Sequence, residues 1–136
     1  KPQFKDILSD FMPRYIVLLI TNFVDDISEV RIEGHTSSEW NQEPEKIAFI
    51  KNMDLSQART RSVLEYSFSL KELDGFDVWM RKTMSANGLS SAKLIMKENL
   101  EDKKRSRRVE FAIRTKTRER LKGLLEKINP SYERKI

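Results

Sequence analysis

The chain has 136 residues, of which 35% are charged and none is cysteine, and its formal net charge is +5 at pH 7. A single domain of this length can bury a core without metal or disulfide support, and the lack of cysteine excludes a disulfide framework. The longest apolar run, residues 16–20, is far shorter than the roughly 20 residues that cross a bilayer.

The positive charge is concentrated at the C-terminal end. Residues 101–136 hold 13 Lys or Arg against 6 Asp or Glu, so this segment carries +7 and the rest of the chain −2. Such a segment can meet nucleic acid, anionic lipid or an acidic polymer, and a solvated helix and tail have the same composition. Lys1 opens directly into a polar helical pattern with no secretory signal. We therefore expect any signal or membrane anchor of the parent protein to lie upstream of Lys1.

Apolar spacing predicts a first helix over residues 4–23. Its apolar stripe consists of Phe4, Ile7, Leu8, Phe11, Tyr15, Leu18, Leu19 and Phe23. Pro13 removes one backbone donor inside this pattern, which predicts a kink or a division into two helices. In residues 29–33, Val30 and Ile32 alternate with charged residues. This alternation predicts a strand with apolar side chains inward and charges in water.

Residues 34–52 are mostly polar and predict a long loop, and a loop of this length is more typically functional or disordered than idle. The apolar patch at residues 47–50 is expected to hold the far end of the loop against the body. Trp40 either pins the loop or covers a ligand. A second helix is predicted from Asp54, because Asp54 and Gln57 have the spacing of a capping box. Its inward face is expected to contain Leu55, Ala58, Ser62 and Tyr66, with Val63 and Leu70 beside it.

The remaining chain predicts helical turns at residues 71–82, a short strand at 83–87 and an irregular stretch at 89–106. Residues 109–113 alternate between apolar and charged and form the clearest strand of the sequence. A basic helix is expected over residues 115–128, stopped by Asn129 and Pro130.

Helices interleaved with strands predict an α+β fold with two layers, in which helices pack on one face of a small mixed sheet. Val30, Ile32, Val109, Phe111 and Ile113 are expected on the buried sheet face, covered by Leu18, Leu19 and Tyr66. We predict one domain over residues 1–136, with its core at about 3–116 and a basic C-terminal helix and tail at 115–136.

Three motifs, in order, carry a family resemblance. They are Gly-His-Thr at 34–36, Asn-x-x-Leu-Ser-x-x-Arg within 52–63, and Arg-Arg-Val-Glu at 107–110. Together they resemble the OmpA-like (also MotB-like) peptidoglycan-binding domain, whose two-layer α+β fold agrees with the pattern above. The resemblance covers about residues 3–116. It implies a non-catalytic module that anchors an envelope protein to the cell wall.

The resemblance also implies a ligand site. Its members are Thr36, Ser37, Asn52, Leu55, Arg59 and Arg107, with Glu39 and Arg108 as further candidates. The family's arginine at the position of Arg59 holds a carboxylate of diaminopimelate, the cross-linking residue of the stem peptide. A guanidinium suits this role because its planar fork of donors matches a carboxylate two-to-two. A nearby helix N-terminus would add positive potential.

The strand end departs from the family at Ser37, where members carry an aspartate that pairs with the ammonium of the ligand. Ser37 offers a hydrogen bond but no charge, and Glu39 could supply the carboxylate instead. Thr60 stands where the family prefers alanine, a small change. Arg107 or Arg108 would brace the binding loop.

A catalytic role is disfavoured by the sequence. His35 is the only histidine, and Ser37, Ser38 and Glu39 follow it closely. Successive side chains of a strand point to opposite faces, so these neighbours do not form a triad by adjacency. One histidine without cysteine leaves no zinc ligand set. We expect no catalytic residue, no metal and no cofactor.

The expected partner is peptidoglycan, and the expected location is the periplasm, with a tether to the inner or outer membrane of a Gram-negative cell. The sequence is compatible with a homodimer. The alternative function is a docking module for nucleic acid or protein that uses the basic C-terminal third. Nucleic acid is disfavoured because the basic residues lack interleaved aromatic residues for base stacking.

Overall fold

The computed structural model describes residues 2–128 of the chain. Its elements are α1 (Pro2–Phe23), β1 (Ile27–His35), α2 (Glu45–Ser69), a 3-10 helix (Lys71–Phe76), α3 (Asp77–Thr83), β2 (Met84–Gly88), β3 (Met96–Lys97), β4 (Leu100–Glu101), α4 (Lys103–Ser106), β5 (Arg108–Thr115) and α5 (Thr117–Ile128). The stretch predicted to be irregular at 89–106 contains the small hairpin of β3 and β4 and the single turn of α4.

The main sheet confirms the predicted fold class. Its strands lie in the order β2-β1-β5, with β1 parallel to β2 and antiparallel to β5, so the sheet is mixed. Val30 is paired with Met84 on one side and Ile113 on the other. Paired residues share a face, and alternate residues of a strand point to opposite faces. Helices α1, α2 and α3 supply the residues that pack against Val30 and Ile32 on one face. We call the opposite face the outer face.

Helix α1 is uninterrupted across Pro13, so of the two predicted alternatives, a kink or a division into two helices, the division is wrong. Its buried side chains, each at most 3% exposed, are Leu8, Met12, Ile16 and Leu19. Burial of an apolar side chain contributes about 1.5–3 kcal/mol, and four of them offset the roughly 3 kcal/mol cost of an internal proline.

The predicted apolar stripe of α1 is only partly correct. Leu8 and Leu19 are buried, but Phe4, Ile7, Leu18 and Phe23 are exposed. Apolar residues cover more than half of this helix, so their spacing alone does not select the arc that faces the sheet. The arc that packs is centred on Met12 and Ile16, which the predicted stripe did not include.

Helix α2 begins at Glu45, nine residues before the predicted start at Asp54. The amide of Ala48 donates to the carbonyl of Pro44 over 2.9 Å, which closes the first turn. Proline fixes φ near the helical value and is tolerated at a helix start. The apolar patch at residues 47–50 is therefore helical and not part of a loop. The capping box at Asp54 is wrong, and the true loop is residues 36–44.

Helix α2 packs through small and polar side chains. The buried set is Ala48, Asn52, Ser56, Thr60, Val63 and Ser67. The predicted inward residues Ala58 and Ser62 are exposed. A Cβ at Gly34 would lie 2.7 Å from the Ser56 carbonyl oxygen, and one at Gly88 would lie 2.5 Å from the Gln57 amide nitrogen. Only glycine permits the helix backbone to approach the sheet this closely.

The clearest predicted strand has the correct phase. Val109 and Phe111 are half-buried on the helix face, and the Phe111 ring packs 5.3 Å from Phe11 and 5.7 Å from Tyr15. Ile113 is 42% exposed, so its predicted burial is wrong, as is that of Leu18. Ile113 lies on β5, an edge strand of the sheet.

The charged residues of β1 do not simply face water. On the outer face, Arg31 NH1 lies 4.0 Å from Glu29 and Arg31 Nε lies 3.4 Å from Glu33. Arg114 Nε is 3.6 Å from Glu29, and Glu33 is only 9% exposed. These side chains cover one another, and their mutual pairing offsets the loss of water.

Helix α5 contains no buried residue. Its start is fixed by Asp26, whose carbonyl accepts from the Lys116 amide and whose carboxylate lies 3.5 Å from Arg120. The predicted stop at Asn129 and Pro130 lies outside the described residues. Within residues 2–128, no helix combines the length and apolar character needed to cross a membrane.

Candidate ligand-binding cleft

A cleft of about 340 Å³ lies between the loop after β1, the middle of α2 and the start of β5. Its lining consists of Thr36, Ser37, Glu39, Trp40, Asn41, Asn52, Leu55, Arg59 and Arg107. The structure therefore brings the six predicted site residues and Glu39 together. Arg108 is the exception, because it does not line the cleft and its guanidinium bonds Glu110, which lies on the outer face.

The loop after β1 is held by hydrogen bonds at both of its sides. The Thr36 amide donates to the Ser90 carbonyl over 2.9 Å, and the Thr36 hydroxyl donates to the Ser37 carbonyl over 2.9 Å. From α2, the Asn52 amide group donates to the carbonyls of Ser37 and Glu39 over 3.1 and 3.0 Å. Asn52 thus positions the loop, because its two donors are both engaged by loop backbone.

Glu101 of the small hairpin fixes the next loop residue. The Ser38 amide donates to Glu101 Oε1 over 2.9 Å, and the Ser38 hydroxyl donates to Oε2 over 2.5 Å. Both carboxylate oxygens of Glu101 are thereby used. Charge-assisted hydrogen bonds are about twice as strong as neutral ones, so the hairpin supports the floor of the cleft.

Glu39 lies among cations. Lys103 Nζ bonds Glu39 Oε1, and Arg107 NH2 lies 3.7 Å from Oε2. The hydrogen bond from Lys103 lowers the pKa of Glu39 below its ordinary value of 4.5, and the charges of Lys103 and Arg107 act in the same direction. Arg107 Nε also donates to Ser37 Oγ over 3.3 Å. Arg107 therefore braces the loop, as the resemblance implied.

Arg59 is exposed and stands in the middle of α2. Because α2 begins at Glu45, the expected help from a helix N-terminus at Arg59 is absent. Among residues 2–128, no carboxylate or carbonyl is hydrogen-bonded to the Arg59 guanidinium. The N–H groups of Arg59 are therefore unpaired within residues 2–128, and they stand at the wall of a cleft that Arg107 also lines.

His35 lies on the outer face of the sheet, whereas Ser37 lines the cleft. Its side chain is fully buried, and neither ring nitrogen has a hydrogen-bond partner among the described residues. Burial lowers the pKa of His35 below 6.5; Arg108 and Lys93 act in the same direction, and Glu110 and Glu33 oppose them. Glu33, His35 and Glu110 are close enough to hold a metal ion, with ligand atoms within 4.8 Å of one another.

Two arginines already neutralise that cluster. Arg31 lies beside Glu33, and Arg108 donates to Glu110 over 2.5 Å. The hydrogen bond from Arg108 lowers the pKa of Glu110. With one cation on each carboxylate, the cluster has no net negative charge to attract a metal ion. We therefore interpret His35 as a structural residue that is buried at the end of β1.

Comparison with known proteins shows that the chain is similar to a curated bacterial protein. The chain is 43% identical over 129 residues to the Zorya protein ZorB of Escherichia coli. The aligned region is 93% of this chain and 54% of ZorB, so the chain spans about half the length of the relative. No family model matches the chain.

Sequence reasoning missed two residues of the cleft's support, Glu101 and Lys103. They lie more than 60 residues from the loop that they contact, in a stretch without a clear period. The only available signal was the charge of that stretch, which suggested a solvated segment. The sequence allows two roles for Trp40, pinning the loop or covering a ligand. In the structure Trp40 lines the cleft.

Proposed function

We propose that this chain is a non-catalytic peptidoglycan-binding module that ties an envelope protein to the cell wall. One observation carries the proposal: the guanidinium of Arg59 has no partner in the described chain and stands in a cleft with Arg107. Two guanidinium groups at one cleft suit a carboxylate, which accepts two parallel hydrogen bonds from each fork.

The ligand that fits the proposal is a diaminopimelate-type stem peptide. Its carboxylate would be held by Arg59, and Leu55 and Trp40 would give apolar contact to the aliphatic part of the residue. Asn52 would keep the loop in place through its two bonds to loop carbonyls. Arg107 would brace the loop and still have donors for the ligand, since a guanidinium has five N–H groups and Arg107 uses only some of them on Ser37 and Glu39. The module would work in the periplasm, beside an inner or outer membrane that holds the parent protein.

The similarity to ZorB extends the proposal to the parent protein. We infer that it belongs to a Zorya system and that other Zorya proteins are its partners. The wall-binding module would then provide a fixed anchor for that assembly.

Sedimentation with purified insoluble peptidoglycan tests the role of Arg59. A hydrogen bond to a charged group contributes about 1.5–3 kcal/mol, so Arg59→Ala should weaken binding by roughly 10- to 100-fold. Arg59→Lys should also bind poorly, because an ammonium cannot form the two-to-two fork. Arg61→Ala is the matched control, since Arg61 is an exposed arginine of the same helix that pairs with Glu65 over 2.9 Å.

Wild type and Arg61→Ala should sediment with peptidoglycan, and both Arg59 variants should remain in the supernatant. Equal sedimentation of all four proteins would show that Arg59 does not contribute to peptidoglycan binding. Absence of sedimentation for the wild type would reject the proposed function itself.

A second candidate, protein docking, uses α5. This helix exposes Leu121, Leu124 and Ile128 together with its basic residues, and an amphipathic basic helix is a common docking element. Nucleic acid is disfavoured, because the basic residues lack interleaved aromatic residues on which bases could stack. Fluorescence anisotropy with duplex DNA at about 50 and 200 mM salt should detect no saturable binding; a steep salt dependence would favour the nucleic-acid role.

A further inference from the structure

We propose that the cleft recognises an anionic group alone, and that it prefers a stem-peptide carboxylate whose neighbouring amine is acylated, as in a cross-linked peptide, over one with a free ammonium. This inference rests on the proposed function and specifies the ligand of that same site. It follows from the charges and hydrogen bonds that the residues of the cleft already make with one another.

The cleft carries an excess of positive charge. Arg59 and Arg107 line it and Lys103 stands beside it, against the carboxylates of Glu39 in the cleft and Glu101 below the loop. These five groups give a balance of +1. Because Arg59 has no partner in residues 2–128, an incoming carboxylate meets a donor that needs no release from another contact.

Among the described residues of the cleft and its support, every carboxylate is already paired, so none is free for an ammonium. Each oxygen of Glu39 faces a cation, Oε1 facing Lys103 and Oε2 facing Arg107. The carboxylate of Glu101 is used by Ser38. Ser37 Oγ accepts from Arg107, and the Ser37 carbonyl accepts from Asn52.

A ligand ammonium would therefore have to displace Lys103 or Arg107, or remain unpaired near them. Two like charges in contact repel each other, and the repulsion is stronger near a protein surface than in bulk water. Acylation of the amine removes that charge and leaves the carboxylate for Arg59. We expect the acylated ligand to bind about tenfold more tightly than the free amine.

Isothermal titration with diaminopimelate and with its di-N-acetyl derivative measures this preference in the wild type. Lys103→Gln should reduce the preference to about one, because Glu39 Oε1 then becomes available to the free ammonium. Ser37→Asp should also reduce it by adding a carboxylate at the loop. Lys104→Gln is the control: Lys104 lies next to Lys103 in α4 and is exposed, so it makes the same change in net charge without freeing Glu39.

The expected result is a preference of about tenfold for the acetylated probe in wild type and Lys104→Gln, with the preference lost in Lys103→Gln. Equal or tighter binding of the free amine by wild type would overturn the inference and leave the proposed function standing. Loss of the preference in Lys104→Gln as well would also overturn it, since net charge alone would then explain the effect. If wild type binds neither probe and does not sediment with peptidoglycan, the proposed function and the inference fall together.

Discussion

Gly34→Ala should separate helix α2 from the sheet. An added Cβ would lie 2.7 Å from the Ser56 carbonyl oxygen and 2.8 Å from Thr60 Cγ2, whereas ordinary contacts begin at 3.4 Å. The deficit of 0.7 Å (3.4 − 2.7) falls on backbone, which cannot rotate away as a side chain can. Overpacking a close contact costs about 1–3 kcal/mol, and we expect the upper part of that range.

Urea denaturation followed by circular dichroism measures the effect. With a slope of about 1–3 kcal/mol per molar urea, the midpoint should fall by roughly 1–2 M. Gly75→Ala is the control, because nothing lies within 4 Å of a Cβ added there, and it should change stability by less than about 0.5 kcal/mol. Adding Thr60→Ser to Gly34→Ala removes the methyl contact but not the carbonyl contact, so only part of the loss should return. Equal midpoints for Gly34→Ala and Gly75→Ala would refute the close approach.

Two further predictions concern the sheet. Phe111→Ala should lower the free energy of unfolding by about 2–3 kcal/mol, less than the 3–5 kcal/mol of a fully buried phenylalanine, because the ring is half-buried against Phe11. Ile113→Ala, at an exposed site on the same strand face, should lower it by under about 1 kcal/mol. The reverse order of the two urea midpoints would contradict the assigned burial. Burial lowers the pKa of His35 below 6.5, so the unfolded chain takes up a proton first and stability should fall as the pH drops below about 6.5. Urea midpoints at about pH 7.5 and 5.5 should differ less in His35→Gln than in wild type, and an unchanged difference would exclude His35 as the cause.

Period-two patterns predicted the strands well. Val30 and Ile32 are fully buried, and Val109 and Phe111 share their face. Alternation is informative there because one side of the sheet is covered by helices and the other is not. It could not give the exposure of Ile113, because alternation assigns a side chain to a face of the sheet and does not say how well that side chain is covered there.

The helices were predicted less accurately, for a physical reason. In α1, apolar residues occupy too much of the circumference for spacing to select the buried arc. In α2, the buried residues are mainly small and polar, including Ser56 and Thr60, which a hydrophobic pattern does not detect. Their burial is allowed because Ser56 and Thr60 hydroxyls donate to backbone carbonyls of the same helix.

The sequence motifs identified the residues of the cleft. They did not predict which charged groups pair with one another there. Ser37, Glu39 and Arg59 are visible in the sequence as candidates. That Glu39 is occupied by Lys103 depends on a contact between residues 64 positions apart, and no local pattern encodes it. The departure at Ser37 raised the question of what meets an ammonium, and the pairing of Glu39 is what motivates our answer.

The packing of α2 also determines how well the cleft can hold a ligand. Ser56 and Thr60 press against Gly34 on one side of the helix, and Leu55 and Arg59, four residues apart, line the cleft on the adjacent side. Residues four apart lie above one another on a helix, so a shift of α2 moves Leu55 and Arg59 as a unit. A displacement of about 1 Å is enough to disturb a positioned binding group. In the proposed site, Gly34 would contribute without touching the ligand, because it lets helix α2 lie close to the sheet and hold Arg59 beside the loop.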